Sequence, residues 1–181
     1  MPRLNTVSPE SAEGKTKEIY DDLTKKMGKV INIFQGMGNS SAALEAYLAM
    51  SGALKGGDLS PEDREVIYLA ISEQNGCGYC VAAHTKIAGG AGMSEEQILG
   101  ARKWEPVGEK HQALLKFTQR VIETKGFVDD SEVEAVQSAG YTDGQIAETI
   151  AFIGLATYSN LFNHVYGTEL DFPAAPSLQP A

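Results

Sequence analysis

Apolar positions in this chain recur at spacings of three and four, and nothing alternates with period two over a useful length, so the pattern predicts helices throughout. Near the N-terminus, Ser8-Pro9-Glu10 reads as N-cap, first helical residue and first-turn acid. It predicts a helix over about residues 9–26, with Ile19, Tyr20 and Leu23 inward and a stop at Gly28. Val30, Ile31, Ile33 and Phe34 form a short apolar stretch whose type the pattern leaves open, broken by Gly36 and Gly38. Asn39-Ser40-Ser41 caps a helix over 42–54, with Leu44, Tyr47, Leu48 and Leu54 as core positions. Ser60-Pro61-Glu62-Asp63 supplies an N-cap serine, a proline at N1 and an acid at N3, and opens a helix that runs to about Gln74. Residues 66–71 of that helix are apolar all round, the mark of a central helix.

Asn75-Gly76 then turns the chain, since both residue types tolerate positive φ, and a helix follows to about Ala88. Gly89-Gly90-Ala91-Gly92 ends it. Met93-Ser94-Glu95-Glu96-Gln97 is a second capping box, opening a short helix to about Lys103. Pro106-Val107-Gly108 is a break, with Trp104 a structural residue beside it. Further helices are predicted over 109–125, around Leu114, Leu115, Phe117, Val121 and Ile122, and over 129–139. Tyr141-Thr142-Asp143-Gly144-Gln145 is a third capping box. It opens the longest helix, 143–166, rich in Ile146, Ile150, Phe152, Ile153, Leu155, Leu161, Phe162 and Val165. The echo between 93–98 and 141–146 is too short to define a repeat. The expected class is all-α: one helical domain of eight or nine helices over 1–172, then a proline-rich tail, 173–181, extended or disordered.

Composition agrees with a single globular domain: 181 residues, 43% hydrophobic and 22% charged. A formal charge of −9 argues against nucleic-acid binding and against docking on anionic membrane. The first residues have no apolar signal core, and no stretch has about 18 uninterrupted apolar residues, so neither secretion nor a membrane span is expected. The expected location is cytoplasmic. Two cysteines are not a disulfide framework, and in that setting a Cys-x-x-Cys pair points to redox chemistry or metal binding.

Both cysteines lie in Cys77-Gly78-Tyr79-Cys80-Val81-Ala82-Ala83-His84. Cys77 and Cys80 should open the helix one turn apart, with His84 a further turn along the same face. A helix N-terminus favours a thiolate and an imidazole can accept the thiol proton, so Cys80 reads as the attacking thiol and Cys77, at the open end, as the partner that closes a disulfide. Peroxide reduction suits such a pair. Two other readings stand beside it: two buried cysteines packed as small hydrophobes, and a zinc site, for which Cys77, Cys80 and His84 give at most three of the four ligands wanted. A thioredoxin-like arrangement lacks its βαβ setting. On helix geometry alone, Glu65 reads more readily as a solvated acid beside Arg64 than as a partner of His84. Tyr79 either offers its hydroxyl to a peroxide or thiolate, or covers the site. His111 reads as packed or surface, and His164 as favouring a helix C-terminus, with Asn160 and Asn163 near it.

Glu65, eleven intervening residues, then Cys77-x2-Cys80-x3-His84 resembles the signature of the alkylhydroperoxidase D-like (AhpD-like) proteins of the carboxymuconolactone decarboxylase superfamily. The resemblance spans about residues 48–103, with weaker similarity in the last helix. It implies an all-α fold, a homo-oligomer (commonly a trimer or hexamer), and thiol peroxidase activity with no metal or bound organic cofactor. By the resemblance, Cys80 is the peroxidatic thiol, Cys77 its disulfide partner, and Glu65 with His84 the proton relay. A peroxide and a dithiol or protein-thiol reductant are then the partners. AhpD itself has a further histidine where this chain has Tyr79. A non-enzymatic redox sensor using the same dithiol is the alternative, and decarboxylase chemistry, which does not use a cysteine pair, stands further back.

Overall fold

A computed structural model describes residues 1–105 and 107–178. Pro106, part of the expected break, and residues 179–181 of the tail lie outside the described residues. Among the described residues there are nine helices and no strand: α1 Gly14–Met27, α2 Asn32–Met37, α3 Ser41–Lys55, α4 Pro61–Gln74, α5 Gly78–Gly90, α6 Glu95–Lys103, α7 Glu109–Thr124, α8 Asp130–Ser138 and α9 Asp143–Tyr166.

The capping signals set most of these boundaries. Ser60 and Asp63 satisfy each other's backbone N–H groups at the start of α4, as do Ser94 with Gln97 at α6 and Thr142 with Gln145 at α9. The first helix is shorter than its signal suggested. Ser8 closes a separate turn, accepting from the N–H groups of Ser11 and Ala12, and Gly14 at φ +51° separates this turn from α1. A left-handed residue cannot sit inside a continuous right-handed helix. The apolar stretch of open type becomes α2, with Val30, Ile31, Ile33 and Phe34 all buried.

Helix α4 is the axis of the molecule. Its Glu65 and every residue from Val66 to Ser72 are buried, and α5, α6, α7 and α9 pack around it. Burial on all sides explains why its sequence lacks a polar stripe. Helix α9 departs from expectation. Phe152, Leu155, Ala156 and Tyr166 face the core, whereas Ile150, Leu161 and Val165 are 52%, 58% and 59% exposed. Apolar content alone does not separate the two faces of a helix this apolar; the inward face is the one that also carries Ser159, Asn160 and Asn163.

Candidate active site

The site begins at the turn between α4 and α5. Asn75 stays right-handed as the C-cap of α4, and only Gly76 takes the left-handed conformation, φ +66°. Cys77 N then donates to Ser72 O at 2.9 Å. The chain folds back on itself, and Glu65 on α4 meets His84 on α5, Oε2 to Nδ1 2.7 Å. Glu65 is therefore not a solvated acid: it is 7% exposed and tied to the imidazole. Tyr68, one turn along α4, stacks on the His84 ring with centroids 4.0 Å apart.

Cys77 is the N-cap of α5, its Sγ accepting from Cys80 N at 3.4 Å. The expectation that Cys77 sits at an open helix end is corrected by tertiary packing. Cys77 is 1% exposed and Cys80 3%, because α9 covers the helix start. Asn163 on α9 points its amide nitrogen at both sulfurs, 3.1 Å from Cys80 Sγ and 3.8 Å from Cys77 Sγ. The Thr168 hydroxyl donates to Asn163 Oδ1 at 2.6 Å, which fixes the amide so that its NH2 faces the thiols. Ser159 Oγ lies 3.8 Å from Cys80 Sγ. Asn160 accepts from Asn75 and donates to Ser72, pinning the turn to α9.

These contacts split the two thiols electrostatically. The Cys80 thiol is pulled below its ordinary value, first by the hydrogen bond from Cys77 and then by His84, Asn160 and Ser159, against the opposing effect of burial. Cys77, which donates in that bond and is itself buried, is pushed up. Burial opposes a charge on His84, but the Glu65 carboxylate outweighs it and raises the imidazole above its ordinary value. The arrangement favours the thiolate at Cys80, the neutral thiol at Cys77 and the protonated form of the carboxylate-held imidazole.

Tyr79 covers rather than donates. Its hydroxyl gives its hydrogen bond to Asp171 Oδ2 at 2.6 Å, away from the sulfurs, and its ring meets Phe172 edge-on. Asp171 also accepts from Asn32 N at 2.8 Å, so one carboxylate ties α2, α5 and the segment after α9 together. Further along, Arg102 donates to Pro176 O at 2.8 Å. The other single residues lie apart from the thiols. His111 pairs with Asp63, 3.3 Å, at the start of α4. The exposed His164 contributes its backbone carbonyl to Arg3. Trp104 caps α6 in a left-handed conformation and packs on the core.

A cavity of about 750 Å³ opens beside Cys80, with Glu65, Tyr68, Tyr79 and His84 on its wall. Sequence reasoning missed Ser159, Tyr68, Thr168 and Asp171. The one signal for the first was polar residues on the inward face of an otherwise apolar helix. Among the described residues no group of three His, Cys, Asp or Glu side chains is placed to hold a metal ion, and no helix is long and apolar enough to cross a membrane.

Residues 41–108, which hold this helix pair, match the model of the carboxymuconolactone decarboxylase family. The alkyl hydroperoxide reductase AhpD of Solibacter usitatus is 42% identical over 59 residues. Over that stretch the chain is similar to the carboxymuconolactone decarboxylase family and to its AhpD proteins. The matched stretch is 33% of this chain and 33% of the Solibacter protein, so the chain spans about a third of that relative's length. The likeness in fold is wider. An AhpD-core, peroxidase-related protein of unassigned role from Ralstonia eutropha JMP134 superposes with a TM-score of 0.84 at 23% identity, over 94% of this chain and 92% of that one. The debrominase Bmp8, solved as its C82A variant with 2,3,4-tribromopyrrole, gives 0.74 at 16% identity over 94% of both chains. The chain therefore shares its helical architecture with proteins of differing chemistry, and its own reaction has to be argued from its own site.

Proposed function

We propose that this AhpD-like protein is a thiol peroxidase that reduces hydrogen peroxide or organic hydroperoxides through the Cys77–Cys80 pair. The observation that carries the reading is a thiol held toward its ionised form on the same cavity wall as an imidazole held by Glu65. The Cys80 thiolate attacks one peroxide oxygen; the S–O bond forms as the O–O bond breaks. The departing alkoxide or hydroxide takes a proton from His84, whose charge Glu65 stabilises. Cys80 is then a sulfenic acid. Cys77 attacks its sulfur as the S–O bond breaks, the departing hydroxyl takes the Cys77 proton and leaves as water, and a disulfide remains. A dithiol or protein-thiol reductant reopens it by exchange, two electrons per cycle. The thiols must stay reduced between turnovers, which suits a cytoplasmic setting. A homo-oligomer is part of the same reading, because the exposed Ile150, Leu161 and Val165 on α9 form an apolar stripe of the kind a second copy covers.

A steady-state assay with a panel of peroxides and a dithiol such as dihydrolipoamide tests the reaction. Cys80→Ser should abolish turnover, and Cys77→Ser should leave a trappable sulfenic acid without cycling. Turnover surviving in Cys80→Ser refutes the assignment. Wild-type protein that oxidises once but never cycles would point instead to a redox sensor.

A further inference from the structure

The cavity beside Cys80 is far larger than hydrogen peroxide requires. At about 750 Å³ it lies within the roughly 300–1,000 Å³ of small-molecule sites, whereas a water-sized molecule occupies about 30 Å³. Much of its wall is apolar, from Ile31, Ile33, Phe34, Phe152 and Phe172. Apart from Glu65 and His84, every charged residue on the wall is a cation: Lys55, Arg64 and Lys86. That is the reverse of the chain as a whole, which has 24 acids to 15 bases.

Among the described residues these three cations have no carboxylate within ion-pair distance, although Lys15, Lys17, Lys25 and Lys29 all do. Arg64 donates to the backbone carbonyl of Lys55 at 2.6 Å, which gathers the end of α3 and the start of α4 at one edge of the cavity. The Lys86 ammonium lies 5.6 Å from the Phe172 ring centre. Nearby acids are already engaged. Glu65 holds His84, Glu148 accepts from the N–H groups of Asp58 and Leu59, and Asp171 is held by Tyr79, Asn32 and Lys29. The cavity therefore offers apolar wall, a reactive thiol and uncompensated positive charge.

We infer that this cavity binds an apolar peroxide with an anionic end, a long-chain carboxylate hydroperoxide, with its chain along the aromatic walls and its carboxylate at Lys55 and Arg64. The peroxide group in this assignment rests on the peroxidase reading above; the preference for an anionic amphiphile does not.

Dodecanoate has no O–O bond and reports the preference alone. Isothermal titration of the reduced full-length protein should show dodecanoate binding more tightly than dodecyltrimethylammonium, both below their micelle concentrations. Lys55→Gln/Arg64→Gln should weaken dodecanoate binding about tenfold, the size of one lost bond to a charged group, and should favour the cationic amphiphile. If the double variant does not fold by circular dichroism, Lys55→Gln and Arg64→Gln singly should each weaken dodecanoate binding about threefold. Equal affinity for the two amphiphiles, or unchanged dodecanoate affinity in folded variants, overturns the inference. A protein that prefers dodecanoate but turns over no peroxide refutes the reaction and keeps the site. A peroxidase without the preference does the reverse.

Discussion

Asn163 offers the sharpest test of how this fold tunes a thiol. Its amide nitrogen sits 3.1 Å from Cys80 Sγ, both residues are buried, and Thr168 holds the amide in the donating orientation. A hydrogen bond to a charged group contributes about 1.5–3 kcal/mol, and one pKa unit corresponds to about 1.4 kcal/mol. Asn163→Ala should therefore raise the Cys80 pKa by about one to two units. The sign follows from the donor favouring the thiolate over the thiol. The assay is the pH dependence of iodoacetamide alkylation at Cys80, followed by peptide mass, which needs no assumption about activity or substrate. Asn163→Asp keeps the shape but sets a carboxylate beside the thiolate, and should raise the midpoint at least as far. Thr168→Val frees the amide to rotate and should raise it by less. A midpoint that is unchanged or lower in folded Asn163→Ala protein would refute the reasoning.

Four further outcomes follow from the same geometry. Glu65→Gln should leave only the Cys80 charge to oppose burial at His84, lowering the His84 pKa, and should raise that of Cys80 by weakening the imidazolium; paired NMR and alkylation titrations read both, and an unchanged Cys80 midpoint would remove the relay. Peroxide turnover should rise with pH as Cys80 ionises and fall again as His84 loses its proton, so a profile that only climbs would exclude His84 as the proton donor. Tyr79→Phe should leave the Cys80 midpoint in place while lowering thermal stability, since the lost bond runs to Asp171; about 1.5–3 kcal/mol is expected by calorimetry, and a shifted thiol midpoint would contradict the covering role. Asp63 is buried and accepts from Tyr141 at 2.5 Å; burial raises its pKa, but His111 and Tyr141 more than offset this and hold it below the ordinary value, while His111 is held above its own, first by Asp63. Their stabilisation should be fullest between the unfolded values of about 4 and 6.5, falling away as pH rises through the His111 pKa or drops toward that of Asp63. Asp63→Asn should cost about 3 kcal/mol and flatten that dependence in denaturant titrations.

What could be read from sequence was what depends on neighbours along the chain. Capping boxes at Ser60, Ser94 and Thr142 work over three residues, so the starts of α4, α6 and α9 were legible without any fold. The Cys77-x2-Cys80-x3-His84 spacing likewise sets one helical face before any packing. The capping signal at Ser8 misled because Gly14 broke the run six residues later.

Tertiary structure decided what depends on groups far apart in sequence. Glu65 became a partner of His84 only when the turn at Gly76 laid α5 against α4. Cys77 became a buried thiol only when α9 covered the start of α5, and that burial adds to the bond it gives Cys80 in pushing its pKa up. Tyr79 became a cover because Asp171, ninety-two residues away, took its hydroxyl. Local propensity acts through a few bonds of backbone, whereas a thiol's pKa is set by every donor, charge and apolar wall within a few ångströms. The sequence by itself therefore determined which helices form and that a dithiol opens one of them; which sulfur carries the charge, and what approaches it, was decided by the fold.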